Sequence, residues 1–159
     1  MGLLYIYGRR ILRINIAALI KGLSTMETEK ADLYRQELGA KGEALAREMY
    51  EEEGFRVIKQ NYRCRIGEID LICEKEKLLV FCEVKCRARL IFGMPAEAVD
   101  AKKIRHICRV ASWYLSQGMR INRLYSDFDM RFDVVEVVFV GDEYEINHVP
   151  NAFESPCAT

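Results

Sequence analysis

Two apolar stretches decide the expected fold: Gly67-Glu68-Ile69-Asp70-Leu71-Ile72 and, after a short charged turn, Leu79-Val80-Phe81-Cys82-Glu83-Val84-Lys85. Each is predicted to be a buried β-strand, yet each carries ionisable side chains, which are costly to bury unless they are paired or bind a metal. Because a strand alternates its faces, Glu83 and Lys85 point the same way, and Asp70 joins them if the two strands form a hairpin. Two carboxylates beside an ammonium suit a hard divalent cation and a water molecule. The stretches therefore predict a metal centre of the kind that hydrolyses phosphodiesters.

The spacing of an acid, any residue and a lysine is weak evidence by itself, because a chain of this size contains about one by chance. A second match, Asp100-Ala101-Lys102, lies in a stretch with helical periodicity, where residues two apart do not share a face. The Glu83 match is stronger because it lies in a strand and Asp70 precedes it on another strand. The alternative interpretation of these residues is an ordinary cluster of salt bridges at a strand end.

The charged residues are unevenly distributed, although the formal net charge of the 159 residues is zero. Residues 54–123 contain fifteen basic and seven acidic side chains, whereas residues 124–159 contain one basic and eight acidic ones. A basic centre around a small acidic focus suits a phosphate backbone drawn to a metal. The alternative is a solvated helix face with flanking loops.

The cysteines indicate the cellular compartment, and the two ends of the chain indicate the domain boundaries. The six cysteines form no C-x-x-C pair and no metal-ligand spacing, which predicts a reducing cytoplasm without zinc or disulfides. Residues 1–25 are an apolar but arginine-interrupted extension, expected to be either a mis-called start before Met26 or an amphipathic surface segment, and a membrane span is not expected. Residues 26–150 are expected to form a single domain, followed by a frayed tail over 151–159.

Periodicity and breakers predict the element order α-β-β-β-α-β-β, which fits a mixed sheet flanked by helices. Gly39 and Gly42 interrupt the first helix, and we expect either close backbone approach beside Glu43 or a loop that splits the helix. The expected helices are Lys30–Glu53 and Ala96–Gln117, and the expected strands are Phe55–Tyr62, Ile66–Cys73, Leu78–Cys86, Arg131–Val140 and Glu143–Val149.

A series of motifs over about residues 33–148 resembles the YraN-like family of the PD-(D/E)xK nuclease superfamily, which is related to archaeal Holliday-junction resolvases. In this resemblance Asp70 is the lone acid and Glu83-Val84-Lys85 the E-x-K element. The other motifs are Gly39-Ala40-Lys41-Gly42-Glu43-Ala44-Leu45-Ala46, Asn61-Tyr62-Arg63, Phe92-Gly93-Met94-Pro95-Ala96-Glu97-Ala98-Val99 and Arg131-Phe132-Asp133-Val134-Val135. The resemblance implies a restriction-endonuclease-like three-layer α/β/α fold and metal-dependent hydrolysis of DNA, including branched or repair-intermediate DNA.

The expected roles follow from this assignment. Asp70 and Glu83 are expected to bind Mg²⁺ or Mn²⁺ with the backbone carbonyl of Val84, and Glu43 to add a ligand or to hold the water shell of the metal. Lys85 is expected to orient the attacking water or to stabilise charge on the phosphoryl oxygens. Glu68 is either an assisting acid or a turn cap. The DNA-contacting candidates are Arg63, Arg65, Arg87, Arg89 and Lys103. Lys103 also resembles the helical lysine or glutamine that often completes such centres, and the alternative is a solvent-facing lysine.

Two alternative functions remain open at the level of sequence. The first is a non-catalytic DNA-binding or scaffolding module that keeps the fold. The second is an RNA nuclease, because the metal centre alone does not distinguish the two sugars. The resemblance to resolvases also suggests a homodimer, because a junction offers paired strands.

Overall fold

The computed structural model describes residues 4–7, 10–13, 16–88, 101–120 and 125–154, with side chains for residues 28–88, 101–117 and 125–154. The chain divides into two compact units, Met1–Glu37 and Leu38–Thr159. In the first unit, β1 (Leu4–Tyr7) pairs antiparallel with β2 (Arg10–Arg13). The helix α1 (Ile16–Glu52) contributes residues to both units.

The second unit is a mixed five-stranded sheet. Its strands lie in the order β3-β4-β5-β6-β7, with β5 and β6 parallel and the other neighbours antiparallel. With α1 and α2 these strands have the predicted order α-β-β-β-α-β-β, which is confirmed. The bounds are β3 (Arg56–Cys64), β4 (Gly67–Lys75), β5 (Leu78–Ala88), α2 (Ala101–Arg120), β6 (Asp129–Val140) and β7 (Glu143–Val149).

Two hydrophobic clusters cover the two faces of this sheet. Ala46 and Tyr50 of α1 pack in one cluster with Val80 and Cys82 of β5. Ile107, Cys108, Val110 and Ala111 of α2 pack in the other cluster with Leu79 and Phe81, the alternate residues of the same strand. Because successive strand residues point to opposite faces, α1 and α2 lie on opposite sides of the sheet. The three-layer α/β/α arrangement follows from this alternation.

The end of α1 is fixed by a Schellman motif. Gly54, with φ 83°, adopts the left-handed conformation that glycine tolerates best. The Gly54 N–H donates to the Glu51 carbonyl at 3.0 Å and the Phe55 N–H to the Tyr50 carbonyl at 2.9 Å. The Tyr50 and Phe55 rings are 5.4 Å apart in an edge contact, which is the apolar contact of this motif. The chain therefore turns sharply from α1 into β3.

Several boundaries differ from the sequence-based expectation. α1 begins at Ile16 instead of Lys30, since residues 16–29 contain no proline and a single glycine costs a helix only about 1 kcal/mol. The strand ends shift by up to two residues, as is usual at termini. α2 begins at Ala101 in the described residues, and the part of the expected helix over 96–100 lies outside them.

The start of the expected frayed tail is packed. The backbone N–H of Ala152 donates to the Phe132 carbonyl at 2.8 Å, and the Phe153 ring stacks on the Phe132 ring with centroids 5.2 Å apart. These contacts attach residues 151–154 to β6, whereas residues 155–159 lie outside the described part. Among the described helices, none combines the length and apolarity that crossing a bilayer requires.

Candidate active site

The cleft between β4 and β5 lies where their pairing stops. The ladder runs from Lys75 opposite Leu78 to Leu71 opposite Cys82. Beyond that point β4 stays paired with β3, and β5 stays paired with β6 as far as Ala88 opposite Phe139. Asp70 and Glu83 are the first residues beyond the last pair, one on each strand. The topology therefore places two carboxylates at the mouth of the opening.

A break in the strand alternation accompanies Asp70. Ile69 packs in the cluster on the α2 face and Leu71 in the cluster on the α1 face, although a regular strand would put both on one face. Asn61, which lies between the residues that pair with Leu71 and Ile69, has a positive φ of 50°. The Asp70 Oδ2 atom accepts a hydrogen bond from the Val84 backbone N–H at 2.7 Å. The irregularity thus allows Asp70 to reach across the cleft to β5.

The environment of Asp70 disfavours its charged form. Burial raises the pKa of Asp70 to about 7, and the negative charges of Glu83 and Glu43 act in the same direction. The hydrogen bond from Val84 and the positive charge of Lys103 lower the pKa and offset only part of this rise. The cleft is therefore a place where added positive charge would relieve an electrostatic cost.

Lys103 of α2 supplies positive charge to the cleft. Its Nζ atom lies 2.8 Å from Glu83 Oε1, and the Glu83 side chain is only 12% exposed. The pair joins residues twenty positions apart, so it depends on how α2 packs against the sheet. Lys103 was expected to contact DNA, and the structure adds an ion pair with a predicted metal ligand.

Glu43 reaches the cleft from α1, which runs without a break through Gly39 and Gly42. The Glu43 Oε2 atom accepts a hydrogen bond from Asn61 Nδ2 at 2.7 Å. A Cβ atom at Gly42 would overlap the Cys86 sulfur, whereas a Cβ at Gly39 would meet no atom within 4 Å. The expected close approach therefore holds at Gly42 only, and no loop splits the helix.

The structure gives the other predicted site residues different neighbours. Lys85 is half-buried on β5 and lies opposite Glu136 in the parallel register, and the Arg87 Nε atom lies 3.1 Å from Glu136 Oε1. Glu68 is exposed and pairs with Arg63 at 3.1 Å, an arrangement that does not bring it to Asp70. Arg89 lies outside the described residues.

A basic groove, here called the α2 groove, adjoins the cleft. One part of about 520 Å³ lies between the turn that joins β3 to β4 and α2, and it includes Lys103 and His106 in its lining. A second part of about 400 Å³ shares these two residues and continues along α2. The described residues that line the whole groove are Arg63, Cys64, Gly67, Glu68, Lys102, Lys103, Arg105, His106 and Arg109.

The oxygen donors of the cleft suit a metal ion that keeps part of its water shell. The described residues contain no group of three or more His, Cys, Asp or Glu side chains arranged to hold a metal on their own. Mg²⁺ commonly keeps several water ligands and uses only one or two protein carboxylates together with substrate phosphates. Asp70 and Glu83 are therefore compatible with Mg²⁺ or Mn²⁺ and unsuited to an all-protein cage.

A family comparison covers this whole arrangement. The model of the family described as "Uncharacterised protein family UPF0102" matches residues 42–137, which include Asp70, Glu83, Lys85 and Lys103. The chain belongs to the UPF0102 family. A UPF0102 protein of Alkaliphilus oremlandii is 44% identical over 118 residues, covering 74% of this chain and 98% of the relative. One of Syntrophotalea carbinolica is 40% identical over 120 residues, covering 76% and 94%.

The UPF0102 assignment confirms the predicted YraN-like family at this level. The names of the UPF0102 family and of these relatives state no activity and do not mention the PD-(D/E)xK superfamily. The activity of this UPF0102 chain is therefore inferred from the chemistry of its own residues.

Sequence reasoning missed a second buried carboxylate in this UPF0102 chain. Asp133 of β6 is fully buried on the α1 face. It accepts hydrogen bonds from Arg131 Nε and Nη2 and from the Tyr50 hydroxyl, all at 2.8 Å, and from the Asn151 backbone N–H at 3.0 Å. His148 Nε2 also lies 3.0 Å from Asp133 Oδ2. The one signal in the sequence was an acid inside the apolar run that follows Arg131.

Proposed function

We propose that this UPF0102 protein is a Mg²⁺- or Mn²⁺-dependent endonuclease that hydrolyses phosphodiester bonds in DNA. The observation that carries the proposal is the cleft itself. Asp70 and Glu83 are held together beside Glu43 in a partly buried position, where the charged form of Asp70 is disfavoured. A fold that needed only stability would gain nothing from this cost, whereas perturbed carboxylates in a cleft are typical of functional sites.

The ligands proposed for the metal are the Asp70 and Glu83 carboxylates and the Val84 carbonyl, with Glu43 holding the water shell. A divalent ion bound there would supply Lewis-acid polarisation of a phosphoryl oxygen and a more acidic bound water. Asp70 is oriented for this role by the Val84 N–H, which fixes its Oδ2 atom at 2.7 Å. Glu43 is oriented by Asn61 on the neighbouring strand.

The lysines of this site act on the phosphate. Lys103 neutralises Glu83 in the described structure, and its side chain is 40% exposed and lines the α2 groove. With a divalent ion held by Glu83, Lys103 would be available to bind a phosphoryl oxygen of the substrate. Lys85 is assigned to orient the attacking water or to stabilise the phosphoryl charge, as its position two residues after Glu83 suggests.

DNA is the proposed substrate because of the α2 groove and the resemblance to junction resolvases. The groove presents lysine and arginine side chains next to the cleft, which suits contacts to the sugar–phosphate backbone. Branched or repair-intermediate DNA is proposed by analogy with the resolvases alone, and a homodimer follows from the same analogy. None of the five described cysteines forms a disulfide bond, which supports a cytoplasmic location.

The test is cleavage of labelled single-stranded, duplex, flap and four-way-junction DNA, and of a matched RNA, in Mg²⁺, Mn²⁺ or EDTA. We expect metal-dependent cleavage that falls about 100-fold or more in Asp70→Asn and in Lys85→Ala. Asp127→Asn is the matched control, since Asp127 is an exposed aspartate that pairs with Lys77 at 2.7 Å. Cleavage that persists in Asp70→Asn, or that occurs in EDTA, would contradict the proposal. Cleavage confined to RNA would transfer the activity to an RNA nuclease.

A second candidate is a non-catalytic DNA-binding or scaffolding module. The observation that favours it is the 2.8 Å ion pair of Lys103 with Glu83, in which a side chain of the protein itself neutralises one of the predicted metal ligands. This candidate predicts DNA binding that is the same in EDTA and Mg²⁺ and in the wild type and Asp70→Asn, with no cleavage in any metal.

A further inference from the structure

We propose that the α2 groove holds a single-stranded segment of DNA, which runs from the Asp70–Glu83 cleft along α2 to a stack of Arg65 on Trp113. The proposal deepens the proposed function by naming the part of the substrate that this surface recognises. It predicts a preference for DNA that carries an unpaired strand next to the cut site, such as a flap or an overhang.

The positive charges along α2 are spaced to follow a strand. Lys102, Arg105 and Arg109 are exposed, and their spacing of three and four residues places them on one side of the helix. In the described part of the chain, Arg105 and Arg109 form no ion pair. Glu68, the acidic side chain in the described lining, is paired with Arg63. The groove therefore keeps a net positive charge for phosphates.

The groove is continuous with the cleft. Lys103 lines both parts of the groove and is paired with Glu83. Gly67 and His106 both line the groove, and Gly67 lies so close to His106 that a Cβ atom on Gly67 would overlap the imidazole ring. β4 and α2 therefore touch at this part of the groove. A DNA strand that lies along the groove is led past Lys103 to the carboxylates.

Trp113 follows the lining residue Arg109 by four residues, so it lies about one helical turn further along the same side of α2. This position offers a flat surface. The guanidinium carbon of Arg65 lies 4.2 Å from the centroid of the Trp113 ring, and Arg65 is exposed. Unpaired bases stack on aromatic rings and on guanidinium planes, whereas the base faces inside a duplex are already stacked on each other. A stacking surface at the end of a basic groove thus selects a single strand over a duplex.

The length of the path fits a short segment. Trp113 follows Lys103 by ten residues of α2, which corresponds to about 15 Å along the helix axis. At the duplex spacing of about 3.4 Å per phosphate this length corresponds to at most about four nucleotides, because an unpaired strand can be more extended. The strand then extends from the phosphate at the cleft to a base on the Arg65–Trp113 stack.

The test measures binding of the full chain in EDTA, so that no strand is cut. Fluorescence anisotropy compares a labelled twelve-nucleotide thymidine strand with a twelve-base-pair duplex. We expect Trp113→Ala and Arg65→Ala to weaken single-strand binding about fivefold or more while duplex binding changes less than about twofold. Arg65→Lys keeps the charge but loses the plane, so it should behave like Arg65→Ala.

Salt dependence separates charge from stacking. Arg109→Ala should reduce the slope of log affinity against log salt by about 0.7 for the single strand. Trp113→Ala should leave that slope unchanged, since it removes no charge. Arg47→Ala is the matched control, because Arg47 is an exposed arginine on α1, across the sheet from α2. Thermal unfolding of each variant shows whether Arg65 and Trp113 act only by attaching the β3–β4 turn to α2.

Arg65→Lys binding the single strand as tightly as the wild type would overturn the proposal. So would an equal loss of single-strand and duplex affinity in Trp113→Ala. If single-strand binding requires Trp113 but DNA stays uncut in every metal, the strand path stands and the nuclease proposal fails. If DNA is cut and Trp113→Ala changes neither single-strand binding nor the preference for flaps, the nuclease stands and the strand path fails.

Discussion

Asp70 and Asp133 are both strand aspartates withdrawn from water, yet the protein treats their charges in opposite ways. Burial raises the pKa of both carboxyls. At Asp133, hydrogen bonds from Arg131, Asn151 and their neighbours outweigh burial and leave the pKa below its ordinary value. At Asp70, one backbone N–H and the charge of Lys103 do not outweigh burial and the nearby Glu83, and the pKa is about 7. The protein therefore stabilises one carboxylate fully and leaves the other short of positive charge.

This difference separates a structural role from a functional one. Asp133 joins α1, β6, β7 and the residues after β7, and its partners satisfy both of its oxygens. Asp70 joins only β4 to β5 and shares its surroundings with Glu83 and Glu43. A carboxyl with a raised pKa, beside two further carboxylates and a basic groove, is typical of a functional site.

The largest expected effect comes from making the same substitution at both sites. Asp133→Asn should lower the free energy of unfolding by about 3–5 kcal/mol, since Arg131 loses its buried partner. Asp70→Asn at pH 8 in EDTA should leave the free energy of unfolding unchanged or raise it, because it removes a disfavoured charge. Urea unfolding monitored by circular dichroism measures both. If Asp70→Asn lowered the free energy of unfolding as much as Asp133→Asn does, the proposed difference between the two sites would be wrong.

The free energy of unfolding should depend on pH with opposite sign at the two carboxyls. The folded-state pKa of Asp70 is raised to about 7, so its contribution to stability is fully present below about pH 4 and is lost as the pH rises through about 7. The free energy of unfolding of Asp70→Asn minus that of the wild type should therefore grow by about 1–4 kcal/mol between pH 4 and pH 8.

The folded-state pKa of Asp133 is lowered, so its contribution is present above about pH 4 and is lost as the pH falls through the lowered pKa. The deficit of Asp133→Asn against the wild type should therefore shrink below pH 4. Urea unfolding of the wild type and both variants at each pH, in EDTA, provides the differences. Two differences that change with pH in the same direction would show that the two carboxyls are not distinguished as argued.

A smaller effect is expected from Tyr50→Phe, which removes one of the donors to Asp133. The Tyr50 hydroxyl is buried and bonds to Asp133 at 2.8 Å, and hydrogen bonds to charged groups contribute about 1.5–3 kcal/mol. The free energy of unfolding should fall by about that amount, while the pH dependence assigned to Asp70 stays as in the wild type. A changed Asp70 titration in Tyr50→Phe, followed by carboxyl NMR, would show that the two regions are coupled.

The sequence was sufficient for the order of the elements along the chain and for the placement of Asp70 and Glu83 on two neighbouring strands. Strand alternation around Phe81 and helical periodicity around Cys108 are local signals, and Gly54 marks the end of α1 in the sequence itself. The break in alternation at Asp70 was not predictable, because it depends on the positive φ of Asn61 on a neighbouring strand.

The contacts that join distant parts of the chain could not be predicted from the sequence either. Lys103 was named as a DNA contact, but its ion pair with Glu83 depends on how α2 packs on the sheet. The partners of Asp133 come from positions as far apart as Tyr50 and Asn151, and no spacing in the sequence connects them. The stacking of Arg65 on Trp113 likewise depends on how the turn between β3 and β4 packs against α2.

Mn²⁺ binding by isothermal titration calorimetry, with the full chain and without DNA, tests directly whether Asp70 holds a metal. We expect saturable binding to the wild type and to Asp127→Asn, and at least a tenfold loss of affinity in Asp70→Asn with the fold retained. Equal Mn²⁺ affinity in the wild type and Asp70→Asn would contradict a metal site at this cleft.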